Sequence, residues 1–179
     1  WGERRMAQLN VQHRGTGRPW VAVQSIASVP RTQAFNAGYA IHKRTAAVQG
    51  TSAQGWQRGD LVRVRLEVTA SADMTWVVLS DPIPAGATIL GSGLGRDSEV
   101  GQQGEGSDRQ GTWPAFVERG QDGYRVYWEH LPQGTAVVEY TLRLNNAGDF
   151  VLPPTRVEAL YAPEMFGEMP NTRWKVSTP

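Results

Sequence analysis

Residue types that could do chemistry are few in this chain, and most stand apart from one another. Gly91-Ser92-Gly93-Leu94-Gly95 follows an apolar segment and could be taken for a phosphate cradle. A dinucleotide fingerprint would need a third glycine where Arg96 stands and a helix opening behind it, and the sequence offers neither. His13, His42 and His130 are isolated, each on or beside an expected strand. Metal sites announce themselves as clustered His, Cys or carboxylate at fixed spacing, so these read as surface or hydrogen-bonded histidines, with no metal or cofactor implied. Asp97, Glu99, Glu105 and Asp108 share one loop without the spacing of a calcium-binding loop and read as solvated acids. No nucleophile-elbow pattern supports a Ser–His–Asp arrangement. Arg58-Gly59-Asp60 spells the tripeptide that integrins read, yet a glycine turn and a polar residue are expected anyway where a strand begins. Of the seven tryptophans, Trp20, Trp76, Trp128 and Trp174 fall in strand-like segments, where core packing accounts for them. That leaves Trp56 and Trp113, in expected loops, as the ones free to face a ligand. No catalytic residue emerges, no small-molecule site is named, and the chain reads as non-enzymatic.

Composition narrows the classes further. The chain has 179 residues and no cysteine, which excludes a disulfide scaffold, a thiolate zinc site, an iron–sulfur cluster and a cysteine nucleophile. No run of eighteen or so apolar residues occurs, so no segment is a membrane-spanning helix. A net charge of +1 gives no argument for nucleic acid. The average conceals an asymmetry: residues 1–65 carry ten Lys and Arg against Glu3 and Asp60, a net of +8, while residues 66–179 carry eight against fifteen acids, a net of −7. Packing is expected to bring the two parts together and largely cancel these charges. The start at Trp1, with no signal-peptide pattern, reads as a piece of a longer polypeptide.

The elements that would position any site are strands. Val62, Val64, Leu66 and Val68 fall at period two within Asp60–Ala70, opposite Arg63, Arg65, Glu67 and Thr69, which is one buried face and one solvated face. Met74–Ser80 is a nearly continuous apolar run, expected to end at Asp81-Pro82-Ile83-Pro84 because proline lacks the ladder donor. Ala87–Leu90, Tyr124–Glu129, Thr135–Leu144, Phe150–Leu152, Thr155–Tyr161 and Arg173–Ser177 follow as strands. Upstream, Pro19–Ser28 alternates like a strand, Leu9, Val11 and His13 suggest another before a Gly15–Gly17 turn, and Gly38–Arg44 is a short one with Tyr39 and Ile41 inward. Thr45–Gly59 reads as a loop. Gly91–Gly123 reads as a long loop with room for one short helix. About seven to nine strands with hairpin-length links and no amphipathic helix make an all-β antiparallel sandwich. Residues 1–179 are expected to form one such domain, with 1–18 a leading strand or linker and 91–123 the long loop.

Two stretches resemble a known family. One is Gly59-Asp60-Leu61-Val62-Arg63-Val64, continuing to Val77-Val78-Leu79-Ser80-Asp81-Pro82-Ile83-Pro84-Ala85-Gly86. The other, more specific, is Leu152-Pro153-Pro154-Thr155-Arg156-Val157-Glu158-Ala159-Leu160-Tyr161-Ala162-Pro163-Glu164-Met165-Phe166-Gly167. Together they resemble the C-terminal macroglobulin-like (MG10) domain of bacterial alpha-2-macroglobulins, which corresponds to the receptor-binding domain of the animal proteins. The resemblance implies a macroglobulin or Ig-like sandwich and a periplasmic parent, anchored at the inner membrane in some members, that traps proteases after they cleave a bait region. It implies a non-catalytic module whose partners are other domains of the same polypeptide, the thioester-type domain above all, with proteases met through the parent and the fragment itself monomeric. The lysines that animal receptor-binding domains present are missing from 91–123, so receptor binding is not implied. Tyr161–Asn171, with Tyr161, Pro163, Glu164, Met165, Phe166, Gly167 and Pro170, is the candidate interdomain contact, because aromatics beside rigid backbone make good anchors. Plugging the sandwich's own end is the competing role for these residues. Because the first stretch also occurs in Ig-like domains, a stalk or adhesion module of a bacterial surface protein is the alternative.

Overall fold

The computed structural model describes residues 10–24, 31–49, 55–91 and 113–179. The chain divides into two units, Trp1–Pro30 and Arg31–Pro179. In the first, the glycine bend at residues 15–17 is present, but residues 10–24 form no strand. Trp20, Val21 and Val23 are exposed. The strand expected over Pro19–Ser28 therefore fails across 19–24, and its remainder lies outside the described residues. Val11 and His13 are likewise in no strand, and Leu9 lies outside the described residues. Alternation alone does not make a strand: the backbone groups need a partner, and none pairs with these residues among those described.

Among its described residues the second unit carries thirteen strands. They are β1 (Phe35–Ala37), β2 (Tyr39–Gln49), β3 (Trp56–Gln57), β4 (Leu61–Ala70), β5 (Met74–Pro82), β6 (Thr88–Ile89) and β7 (Phe116–Arg119), then β8 (Gly123–Leu131), β9 (Gly134–Arg143), β10 (Gly148–Phe150), β11 (Thr155–Ala159), β12 (Ala162–Met169) and β13 (Trp174–Ser177). No helix occurs among the described residues. A six-stranded sheet has the order β1-β12-β11-β5-β8-β7, a four-stranded sheet β2-β4-β9-β6, and a three-stranded ribbon β10-β13-β3. Among the described residues, the pairings between these strands are antiparallel except β13 with β3. The expected all-β sandwich is borne out.

Its core follows from the period-two pattern. Val62, Val64, Leu66 and Val68 of β4 are fully buried, with Tyr140 and Leu142 of β9 beside them. From the large sheet, Val77 and Leu79 of β5, Val126 and Trp128 of β8 and Val157 of β11 complete one cluster. Each fully buried aliphatic side chain contributes on the order of 1.5–3 kcal/mol, so this layer dominates the unit's stability.

Four local expectations need correction. β2 runs on to Gln49, through the first part of the expected loop, because its backbone pairs with β4 from Tyr39 opposite Ala70 to Gln49 opposite Leu61. β5 continues through Asp81 and Pro82, which pair with Tyr124 and Gly123. β7 lies inside the expected 91–123 loop, paired with β8. The short helix allowed for in that loop would fall on residues 92–112, outside the described residues. Finally, Ala162–Met169 is a strand between β11 and β1. Pro163 is tolerated there because β1 reaches only Phe166, Gly167 and Glu168, so the missing donor leaves no gap. Gly167 is required: a Cβ on it would stand 2.4 Å from the Tyr39 carbonyl oxygen.

Candidate functional site

Strand β12 divides the residues of the candidate contact between two faces. Met165 packs against the core and Gly167 is buried. Phe166 points the other way, to the outer face of the large sheet. There it stacks on Phe35 with ring centroids 5.0 Å apart, and the Arg156 guanidinium lies 4.4 Å from its ring centre. Arg156 is held by Glu168 at 2.6 Å and Glu158 at 2.7 Å, and Arg31 also pairs with Glu168. Tyr161, Pro163 and Glu164 are exposed, and Pro170 is half-buried. The sequence-derived set thus falls on one strand, its leading turn and, for Pro170, the residue after it, and only its first three members face solvent openly.

The exposed part joins residues that sequence reasoning missed. Tyr161 is 80% exposed and meets Trp76 edge to face at 6.5 Å. Phe116, 61% exposed, packs on Tyr127 at 5.9 Å. Trp76, Phe116, Tyr127 and Leu160 line a shallow groove of about 400 Å³. Burial, together with Glu118 accepting from the phenol, raises the Tyr127 pKa. These side chains form one exposed apolar patch. Trp76 was expected in the core, and a sequence signal for its true place was available. Val77 and Leu79 face inward, so the phase of β5 turns Trp76 outward; the continuous apolar run obscures that phase. Its backbone is also unusual, with φ of 54°, a conformation that costs an L residue about 1–2 kcal/mol. Its carbonyl accepts from the Leu160 amide at 2.8 Å.

Behind this face lies a second constellation that spacing could not reveal. Asp81 is fully buried. Its carboxylate accepts from Lys43 Nζ at 2.6 Å, from the Tyr140 hydroxyl at 2.6 Å and from Thr155 Oγ1. Burial, and then the neighbouring Asp81 carboxylate, push the Tyr140 phenol well above its ordinary pKa.

The other sequence-level candidates are accounted for locally. Asp60 is buried and accepts from the Gln57 amide at 2.9 Å, so the Arg58-Gly59-Asp60 turn uses its carboxylate internally. Trp56 stacks on Trp174 at 5.4 Å and packs on the core. Trp113 and Trp20 are exposed; Trp20 was expected in the core and is in no strand. No metal-binding cluster occurs among the described residues. Ser92–Gly95 and the acids Asp97, Glu99, Glu105 and Asp108 lie outside them. A wider groove beside Pro82, Ile83, Phe150 and Pro153 holds carboxylates already tied to arginine, Asp122 by Arg125 and Asp149 by Arg173.

Residues 38–164 match the family model for the bacterial alpha-2-macroglobulin MG10 domain. Alpha-2-macroglobulin of Pasteurella multocida (strain Pm70) is 27% identical over 131 residues, which is 72% of this chain and 6% of that protein. The native conformation of Escherichia coli alpha-2-macroglobulin has a TM-score of 0.66 at 22% identity, over 83% of this chain and 10% of the other. The E. coli protein activated by porcine elastase has a TM-score of 0.70 at 20% identity, over 81% of this chain and 14% of the other. A native E. coli structure spanning domain MG7 to the C-terminus has a TM-score of 0.65 at 20% identity, over 83% of this chain and 25% of the other. At these identities the structural likeness concerns the fold. The chain spans a small part of each relative's length.

Proposed function

The chain belongs to the bacterial alpha-2-macroglobulin MG10 domain family, and from that premise we propose that it is a non-catalytic structural and regulatory domain of a periplasmic protease-trapping inhibitor. Its work is to contact the neighbouring, thioester-type domain of the same polypeptide and to help hold the uncleaved conformation. The parent, through its other domains, meets the protease. One observation carries this reading: an aromatic shelf of Trp76, Phe116, Leu160 and Tyr161 stands exposed on the outer face of the large sheet. Such surface is costly to leave in water, and the chain spans only 6% of its curated relative, so a neighbour from the same polypeptide is the natural cover. Pro163 and Glu164, also exposed, follow Tyr161 in the chain.

The test uses the intact parent carrying Tyr161→Ser and Phe116→Ser together. Both side chains are largely exposed, so the chain's own stability is expected to move by no more than about 0.5 kcal/mol per substitution. In the absence of protease, the doubly substituted parent is expected to shift toward the cleaved-like shape, read by scattering or native electrophoresis. A parent that keeps its uncleaved shape and traps protease as before would remove the shelf from that role.

A further inference from the structure

Of the eighteen Lys and Arg residues in the chain, only Lys43 and Lys175 are lysine. One of these two is buried at the Asp81 cluster, where a fork-shaped and permanently charged guanidinium is the usual choice. A lysine differs in being able to give up its proton and act as a nucleophile. Two side chains lie within hydrogen-bond reach of the Lys43 amine. Lys43 Nζ donates to Asp81 Oδ1 at 2.6 Å and to Asn171 Oδ1 at 2.9 Å. The Lys43 and Asp81 side chains are 7% and 0% exposed, so bulk water is excluded. The Asn171 carboxamide is held in place by its own donors, Nδ2 giving hydrogen bonds to the Pro153 carbonyl at 2.7 Å and to Thr155 Oγ1 at 3.1 Å. Its carbonyl is thereby held within hydrogen-bond reach of the amine, and such enforced proximity is what favours an intramolecular reaction.

We infer that Lys43 and Asn171 form an intramolecular amide, with Asp81 as the acid–base group. A proton passes from the Lys43 ammonium to Asp81 along their hydrogen bond, leaving a neutral amine and a carboxylic acid. The amine lone pair attacks Asn171 Cγ and forms the Nζ–Cγ bond, while the Cγ–Oδ1 π electrons move onto oxygen. Asp81 transfers the proton from Nζ to Nδ2, and the tetrahedral centre collapses with cleavage of Cγ–Nδ2. The nitrogen leaves as ammonia and takes up the remaining proton as ammonium. In net terms one ammonium and one primary amide give one secondary amide and free ammonium, with no oxidant, reductant or added reactant. The bond would join the middle of β2 to the link between β12 and β13, residues 128 positions apart. It would tie the two facing sheets together covalently and relieve the interior of a buried ion pair.

Intact-mass measurement of the purified chain, after incubation at neutral pH, tests this directly. The expected mass is that of the sequence less one ammonia. Trypsin is expected not to cut after Lys43 and to release a branched peptide joining residues 32–44 to residues 157–173. Lys43→Arg, Asn171→Ala and Asp81→Asn are each expected to show the full, unreacted mass. The two wild-type readouts stand whether or not those variants fold. A full wild-type mass with normal cleavage after Lys43 overturns the cross-link. So does a loss of ammonia without the branched peptide, which would assign it to a succinimide elsewhere.

Discussion

Tyr39 and Asp81 are both closed off from solvent, and their environments treat them oppositely. Asp81 gathers donors from Lys43, Tyr140 and Thr155, so its burial is compensated. The Tyr39 hydroxyl is buried and finds no hydrogen-bond partner among the described residues. A polar group buried alone costs about 1–3 kcal/mol, somewhat more than a satisfied hydrogen bond contributes. Tyr39→Phe keeps the ring and removes the orphan, so it is expected to leave stability unchanged or raise it by roughly 1 kcal/mol. Chemical denaturation checks this, and a clear loss would mean the hydroxyl has a partner. The inward side of Tyr39 was legible, since it sits in phase with Ile41. The place of Asp81 was not: a charge followed by proline reads as the end of a strand. Its donors come from β2, β9 and β11, which no spacing rule connects.

Among the elements, β4 was legible because its two faces differ in chemistry at every step, and the structure pairs it on both sides. β12 was not, because Pro163, Glu164 and Gly167 each argue against a strand, and only the neighbouring β1 and β11 make one there. Residues 19–24 err the other way, with strand-like alternation and no strand partner among the described residues. β5 combines both situations: it was expected as a strand, but its outward residue Trp76 was placed in the core. The left-handed backbone at Trp76 gives that element a distinctive signature. In an ordinary strand, alanine is more stabilising than glycine. At a positive φ the order inverts, because glycine meets no Cβ clash. Trp76→Gly is therefore expected to be more stable than Trp76→Ala by about 1 kcal/mol, although both lose the same ring contacts. Denaturant midpoints of the two variants decide it, and the ordinary order would show that Trp76 relaxes once its ring is gone.

At the scale of the sandwich, the charge asymmetry read from the sequence is partly resolved by pairing. Arg31, Lys43 and Arg65 of the basic part meet Glu168, Asp81 and Glu139 of the acidic part. The exposed pairs among these add little to stability, so the molecule's pH limits are set inside the core. Two phenols of the facing sheet decide the alkaline one. Burial raises Tyr39 from 10.0 to about 12, and burial with the Asp81 carboxylate raises Tyr140 well above the same value. Below pH 10 both are protonated whether the chain is folded or not, and neither affects the balance. Above it the unfolded chain releases these protons while the folded one retains them, so unfolding becomes more favourable by roughly 1.4 kcal/mol per pH unit for each phenol. Because both rings belong to one core cluster, they cannot ionise singly at the surface of an intact sandwich. Stability is expected to be level to about pH 10 and to fall steeply beyond it, with tyrosinate absorbance from these residues appearing together with loss of the β-sheet dichroism. Tyr39→Phe should soften that fall. Full ionisation of all tyrosines while the dichroism persists would show that the core opens to hydroxide without unfolding.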